Sequence, residues 1–349
     1  MKEVGDIKVI NAGFLTTVQD KGRIGYQEFG MPVAGAMDEF SLRLGNILLK
    51  NDEYEAALEV TMLGPELKFN IDTVVSITGA DIQPKINNIE VQMWRTIKIN
   101  KGDRLSFGKC KNGLRCYICF LGGIDVPDIM RSKSTYIKAK IGGVHGRALK
   151  VGDEIDLINK KTYYKEVLNR KIKDSYIPNY TGNYNINIVL GPQEESFTKE
   201  GLNTLTSSTY EVTNQCDRMG YRLTGEKIEH KEGADIISDG IALGSIQVPG
   251  HGMPIVMMAD RQTTGGYAKI ATVISSDISL LAQAKPGDKI KFIKLSIKEA
   301  HSILREYEEK IIDIKNSIEE VKNLEIVKRK NYRVRVNGES FSLIVEQCK

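Results

Sequence analysis

Three copies of one short pattern decide how the chain is read: KGDRLSF at residues 101–107, VGDEIDL at 151–157 and PGDKIKF at 286–292. In each, a Gly-Asp turn feeds an alternating apolar–polar run, the mark of a strand with one buried face. The second copy is followed by a polar, tyrosine-rich stretch, NKKTYYKEVLNRKIKDSYIPNYTGNYN, and alternation resumes with INIVLGPQEESF. The third copy therefore closes a second β-rich unit as the second copy closes the first. The expected chain is mainly β, with a first unit over residues 1–158 and a linker over 159–184. A second unit over 185–300 and a tail over 301–349 complete it. Both units are expected to be barrel-like or sandwich-like.

Helices are few. In MDEFSLRLGNILLKN, Phe40, Leu44, Ile47 and Leu48 share one stripe and Asp38 precedes them as an N-cap. In the tail, Leu304, Tyr307, Ile311, Ile314, Ile318 and Val321 alternate spacings of three and four, a helix that packs on its own chain or on a partner. After it, YRVRVNGESFSLIV predicts a hairpin about Asn337-Gly338, the dipeptide that a type I′ turn favours. Tyr332, Val334, Val336, Phe341, Leu343 and Val345 would line one face.

Composition removes several classes of function. The 349 residues carry 49 Lys and Arg against 45 Asp and Glu, a net charge of +4 with no clustered basic face, and Trp occurs once. Nucleic acid would need both more clustered charge and more stacking rings. The start, MKEVGDIKVINAGF, has no apolar core of a signal peptide, and no run is long enough to span a membrane. A soluble, cytoplasmic protein is the expectation. Five cysteines at irregular spacings fit a reducing compartment. Cys116 and Cys119 form CYIC, but within the strand-like RCYICFLGG residues three apart point to opposite faces. Four scattered histidines complete the case against a metal site.

Candidate chemistry concentrates in DRQTTGGYAK, residues 260–269, read as a loop between the apolar runs PIVMMA and IATVI. Asp260 could act as a base, and Arg261 and Lys269 could hold a carboxylate or phosphate. Gln262 offers both halves of an amide's complement. Thr263 and Thr264 add hydroxyls, Gly265 and Gly266 allow close backbone approach, and Tyr267 closes the set. The alternative is a loop that satisfies its own backbone. Gln19, Asp20 and Arg23 cluster in TTVQDKGRIGYQEFGMPVAGAMD, and Asp217, Arg218, Gly220 and Arg222 in CDRMGYRLTG. IQVPGHGMP contributes Gln247, Pro249 and His251, the last more consistent with a solvated loop than with a catalyst. No G-x-x-x-x-G-K-[ST] phosphate loop and no G-x-S-x-G elbow occur.

These stretches, with ALEVTMLGPELKF, ITGAD, GGIDVP and AQAKPGDKIKF, come in the order of one family. Over roughly residues 8–300 the chain resembles the biotin-dependent carboxyltransferases, also called allophanate hydrolase subunit 2 or KipA-like proteins. Ala34 stands where relatives often have Ser, and Ala268 where they usually have Pro. The resemblance implies two tandem cyclophilin-like β-barrel domains. It also implies partners of the allophanate hydrolase subunit 1 (KipI-like) and LamB/YcsF types. Within the family the chain is most similar to the branch that supplies the C component of ATP-dependent 5-oxoprolinase, which opens the 5-oxoproline lactam to L-glutamate. Carboxyl transfer to urea or a related amide, and regulation through a KipI-like kinase inhibitor, are the alternatives. On the lactam reading Asp260, Arg261 and Asp20 are expected to be catalytic. Gln262, Thr263, Thr264, Gly265, Gly266, Tyr267, Lys269, Gln19, Arg23, Asp217, Arg218, Gln247 and Pro249 are expected to bind the small amide substrate. ATP would be bound by, or shared with, a partner. The tail resembles the opening hairpin of biotin carrier domains but lacks an MKM-type biotinylation site, so no covalent biotin is expected.

Overall fold

A computed structural model describes residues 5–158, 165–320, 326–336 and 339–348. The first unit is built from two sheets. A seven-stranded sheet runs in the order Ile124–Asp125, Glu154–Leu157, Ile7–Asn11, Glu66–Phe69, Arg104–Phe107, Pro84–Ile86, Ile89–Glu90. A five-stranded sheet runs Leu15–Gln19, Ala57–Thr61, Asn112–Phe120, Thr73–Asp81, Thr96–Ile99. The alternation read in the sequence places Ile7, Val9, Leu67, Phe69 and Leu105 of the first sheet against Val60, Val75, Ile77, Ile118 and Phe120 of the second, in one fully buried core. Cys116 lies in this core, and Cys119 lies on the other side of the sheet, with Leu42, Tyr117 and Val167. The two thiols face apart, as strand geometry requires.

The second unit is a closed barrel. Its strands run Asn183–Leu190, Lys269–Val273, Ser245–Gln247, Ile255–Met257, Gly220–Thr224, Thr209–Cys216 and Lys289–Lys294, the last returning to the first. Closure is parallel, with Ile186 opposite Phe292 and Ile188 opposite Lys294. The repeated Gly-Asp pattern has the same job in both units. Glu154–Leu157 and Lys289–Lys294 each pair with the first strand of their own unit, Ile7 meeting Ile155 and Tyr184 meeting Ile290.

Four α-helices are present among the described residues: α1 Glu39–Leu48, α2 Lys199–Ser207, α3 Ser275–Leu281 and α4 Ile297–Asn316. The Asp38 side chain caps α1 by accepting from the Ser41 N–H at 3.0 Å, as the sequence predicted. A capping box between Ser296 and Glu299 starts α4. Its stripe packs on its own chain: Ile311 and Ile314 are buried against Phe40, Leu44, Ile47, Leu48 and Trp94. Glu308 adds a two-pronged ion pair to Arg43 of α1, both bonds at 2.8 Å. Ile311→Ala should therefore destabilise the protein by about 2–5 kcal/mol, measured by denaturant unfolding, the usual range for emptying such a site. Beyond α4, Ile326–Val336 and Glu339–Cys348 pair with each other, Tyr332 opposite Leu343 and Val334 opposite Phe341. The residues expected to form its I′ turn, 337 and 338, lie outside the described residues, as does Val321 of the expected helix stripe.

The two units are joined by polar groups that satisfy one another. The Gln283 Oε1 accepts from Leu114 N–H and Arg115 N–H, both at 2.9 Å, while its Nε2 donates to Asp38 Oδ2 at 2.6 Å and the Arg115 carbonyl at 2.9 Å. Arg218 of the second unit donates to Glu59 of the first at 2.5 Å, to the Gly35 carbonyl at 2.7 Å and to both oxygens of Asp260 at 3.1 and 2.8 Å. The other Glu59 oxygen accepts from the Tyr117 hydroxyl and the Met37 N–H. Because every one of these groups is buried, removing one partner leaves a charge with no solvent to turn to.

Candidate functional site

The sequence-predicted residues separate into four places. Asp260 and Arg218 belong to the inter-unit network just described. Both Asp260 oxygens accept from Arg218, so this buried carboxylate is engaged in the inter-unit network and does not line the cleft of the second barrel. Burial works against the Arg218 charge, yet Asp260 and Glu59 raise its pKa further above the ordinary arginine value.

Arg261 is a clip inside the second barrel. Its Nε donates to the Ile241 carbonyl at 3.0 Å and its Nη1 to the Met258 carbonyl at 3.3 Å, and burial lowers its pKa to about 10. Lys269 is buried and reaches one exposed partner, Asp239, at 2.9 Å. Gln19, Asp20 and Arg23 lie in the first unit. The Asp20 carboxylate accepts from Gly22 N–H at 2.8 Å, Ser132 Oγ at 2.6 Å, Lys133 N–H at 2.6 Å and Ser134 Oγ. It pins the 132–134 stretch to the start of the 20–25 turn.

Asp217, Gln247, Pro249, Gln262 and Tyr267 come together around a cleft of about 650 Å³ on the second barrel, whose lining does not include Thr263, Thr264, Gly265 or Gly266. His251 and Arg222 also line it, as do Asn214 and Gln215. A second hollow of about 430 Å³ continues it past His251 and Arg222 towards Thr224 and Pro254. Met219 forms part of the wall, and Lys138 of the first unit, on the short 3-10 turn Ile137–Ala139, reaches its sulfur. One edge of the cleft thus sits at the boundary between units.

Gln247 is the distinctive wall residue. It is 2% exposed, and its Nε2 has no hydrogen-bond partner among the described residues. An unpaired buried amide nitrogen costs about 1–3 kcal/mol unless something accepts from it. Asp217 Oδ1 accepts from Met219 and Gly220 N–H at 2.7 and 3.2 Å, while its Oδ2 has no partner among the described residues and the side chain is exposed. Met253 N–H donates to His251 Nδ1 at 3.0 Å, so the neutral ring carries its proton on Nε2.

The stretch that reads as a loop is largely strand. Thr264–Tyr267 pairs with Asp235–Gly240, Gly265 opposite Asp239 and Tyr267 opposite Asp235, and Lys269 already begins the next barrel strand. Thr263 accepts the Ile241 N–H at 3.0 Å through its carbonyl. Neither Gly265 nor Gly266 adopts positive φ. What Gly265 needs is space, since a Cβ there would stand 2.8 Å from Gln247 Nε2 and 2.7 Å from Ile241 Cδ1. Gly265→Ala should accordingly push the Gln247 amide out of place. The expected result is at least about tenfold weaker ligand binding in the cleft, with a change in unfolding free energy of about 1–3 kcal/mol, checked by titration and denaturant unfolding of the same preparation.

Sequence reasoning did not single out Asn214 and Gln215, and it left Arg222 outside the substrate-binding set. The signal for Arg222 was available: it is the exposed residue between buried Tyr221 and Leu223 on Gly220–Thr224. Asn214 and Gln215 lie within the irregular part of Thr209–Cys216, where the register shifts between Val212 and Cys216, so alternation alone mispredicts their direction.

A fold of this kind, carrying a polar cleft on its second barrel, has clear relatives. The family model for the carboxyltransferase domain, subdomains A and B, matches residues 29–294, and the chain belongs to this family. It is 36% identical over 294 residues to the C component of 5-oxoprolinase from Escherichia coli, covering 84% of this chain and 93% of that protein. It is 33% identical over 312 residues to urea amidolyase of Saccharomyces cerevisiae, covering 85% of this chain but 17% of that much longer one. Among solved structures, the Kluyveromyces lactis urea carboxylase superposes over the whole chain with a TM-score of 0.83 at 26% identity, using 33% of its own length. No helix among the described residues is long and apolar enough to cross a membrane, and no group of His, Cys, Asp and Glu among them could hold a metal ion.

Proposed function

We propose that this chain is a subunit of an ATP-dependent 5-oxoprolinase and that the cleft on its second barrel holds the lactam while it is opened to L-glutamate. The observation that carries the reading is Gln247, a buried amide donor left unpaired by the described residues on the wall of a cleft large enough for a small ring. A lactam supplies the missing acceptor, its carbonyl oxygen. As the ring opens, negative charge grows on that oxygen, and a fixed donor in a shielded site lowers the barrier. Arg222, on the wall of the same cleft, would hold the ring carboxylate. Gln262 can accept the lactam N–H. The open oxygen of Asp217 is the carboxylate able to orient water or take up its proton, the part that the sequence suggested for Asp260 or Asp20.

In this reading ATP is bound elsewhere: a triphosphate needs several cations or a nest of backbone N–H groups, and Arg222 is the one Arg or Lys among the described residues that line the cleft. The nucleotide site is therefore assigned to a partner of the KipI-like or LamB/YcsF type, and no step on this chain runs through it. Similarity of 35% over 99% of the C component of 5-oxoprolinase from Haemophilus influenzae supports the reading. Carboxyl transfer to an amide is the second reading, favoured by the superposition of the whole chain, tail included, on the urea carboxylase structure.

The test is glutamate formation from 5-oxoproline and ATP by this chain assembled with its partner subunits. Release of glutamate, abolished by Asp217→Asn in an intact complex, is the expected result. An assembled complex that forms no glutamate but carboxylates urea would establish the second reading instead.

A further inference from the structure

Away from the cleft, a hollow of about 170 Å³ lies where α1, the linker, α3 and α4 meet. Asp38 and Phe40 at the start of α1, Tyr180 of the linker, Leu280 of α3, and Tyr307 and Lys310 of α4 line it. Asp38 is buried. Its Oδ1 accepts from Ser41 N–H at 3.0 Å, and its Oδ2 from Ser41 Oγ at 2.7 Å and Gln283 Nε2 at 2.6 Å. Burial raises its pKa, hydrogen bonds from Ser41, Gln283 and Ser279 lower it, and no described cation is among these influences. The carboxylate is thus well supplied with neutral donors and has no counter-charge. What it offers the hollow is charge more than an open acceptor. That charge reaches the walls: after burial, Asp38 is the largest influence raising the pKa of both Tyr180 and Tyr307.

The other walls are aromatic. The Phe40 and Tyr307 ring centroids stand 5.9 Å apart with the planes tilted by 49°, and Tyr180 adds a third ring. Ring faces attract a cation electrostatically without accepting ordinary hydrogen bonds from it. One cation is already drawn to the rim, since the Lys310 Nζ lies 5.5 Å from the Phe40 centroid on an exposed side chain. A primary ammonium is strongly hydrated and keeps its N–H groups in water. The interior suits a cation that has no N–H to satisfy. At roughly 30 Å³ for each water-sized group, the hollow has room for about five, and a tetramethylammonium ion has five heavy atoms.

We propose that Asp38, Phe40, Tyr180 and Tyr307 form a binding site, separate from the cleft, for a quaternary ammonium group. Its methyl groups lie against the three rings, and its charge is answered by the buried carboxylate. The proposal does not depend on the reading of the cleft.

Thermal unfolding of the full chain, titrated at constant ionic strength with tetramethylammonium, ammonium or dimethylbutanol (the uncharged carbon analogue of choline), tests it. A saturable rise in Tm with tetramethylammonium is expected. Ammonium and dimethylbutanol should bind about 2- to 30-fold more weakly, the range of one cation–π contact. Choline and phosphocholine, titrated in the same way, distinguish a free cation from a phospholipid head, and the stronger of the two names the source. Lys310→Met removes the competing ammonium from an exposed position, so the fold should hold while tetramethylammonium binds about 2- to 5-fold more tightly. Tyr307→Leu removes one ring and should weaken binding about 2- to 30-fold; if that variant does not fold, Lys310→Met decides. No saturable response, an equal response to ammonium or dimethylbutanol, or an unchanged response in Lys310→Met would overturn the proposal.

Discussion

Gln247→Leu is expected to lower glutamate formation by the assembled complex about 10²- to 10³-fold, the loss that follows removal of one donor to a developing oxyanion. Leucine is close to glutamine in volume, and the amide nitrogen it removes has no partner among the described residues. The fold should therefore lose little, and unfolding measurements on the variant should match wild type within about 1 kcal/mol. The kinetic signature matters as much as the size of the loss. A donor that acts on the charge developing during ring opening lowers kcat and kcat/KM together, whereas one that only holds the ground-state carbonyl raises KM alone. A rise in KM with unchanged kcat would leave Gln247 as a binding residue and move charge stabilisation to another group.

The second large effect concerns stability. Arg218→Ala should cost about 3–5 kcal/mol, the usual penalty for stranding a buried charge, because it leaves Glu59 and Asp260 buried without their shared guanidinium. Glu59 also predicts a pH dependence. Burial alone would raise its pKa, but Arg218 and Arg115, with the Met37 N–H and the Tyr117 hydroxyl, outweigh burial and hold it below the ordinary carboxylate value. A group depressed in the folded state contributes stability that is complete above its unfolded pKa of about 4.3. That contribution is lost as pH falls through the lower folded value. Glu59→Gln should therefore flatten the acid limb of the stability curve below about pH 4.3 and lower stability at neutral pH, both read from denaturant unfolding across pH.

Much of this architecture was legible in the chain. The Gly-Asp pattern marked the closing strand of each unit because a tight turn followed by alternation leaves few other structures open. Asp38 announced α1 and the three–four spacing announced α4. The sequence left open what α4 would pack against. Its seam meets Phe40, Leu44 and Ile47, roughly 270 residues away in sequence, a contact that no local pattern encodes.

The site was legible by residue type and not by place. Asp260, Arg261 and Arg218 are dense in polar chemistry, as the sequence suggested, but their partners are one another, the buried Glu59 carboxylate and buried carbonyls. An Asp-Arg pair buried at a boundary between units and an Asp-Arg pair facing a substrate have the same composition, and only burial separates them. Gln247 is a binding candidate in IQVPGHGMP, but nothing in that stretch sets it apart from Pro249 or His251. Its significance comes from the fold, which packs the bare Gly265 backbone beside its amide and leaves the Nε2 without a partner among the described residues.

The account rests on Gln247 donating to the lactam carbonyl, and the side-chain amide signal of that residue reports on it directly. In a complex whose copy of this chain carries ¹⁵N-labelled glutamine, the Gln247 NH₂ resonance is assigned by its disappearance in Gln247→Leu and followed as 5-oxoproline is added. The account predicts a saturable shift of that resonance, with Gln262 moving alongside it and Gln283 unmoved. A complex that turns over 5-oxoproline while the Gln247 signal stays in place would contradict it.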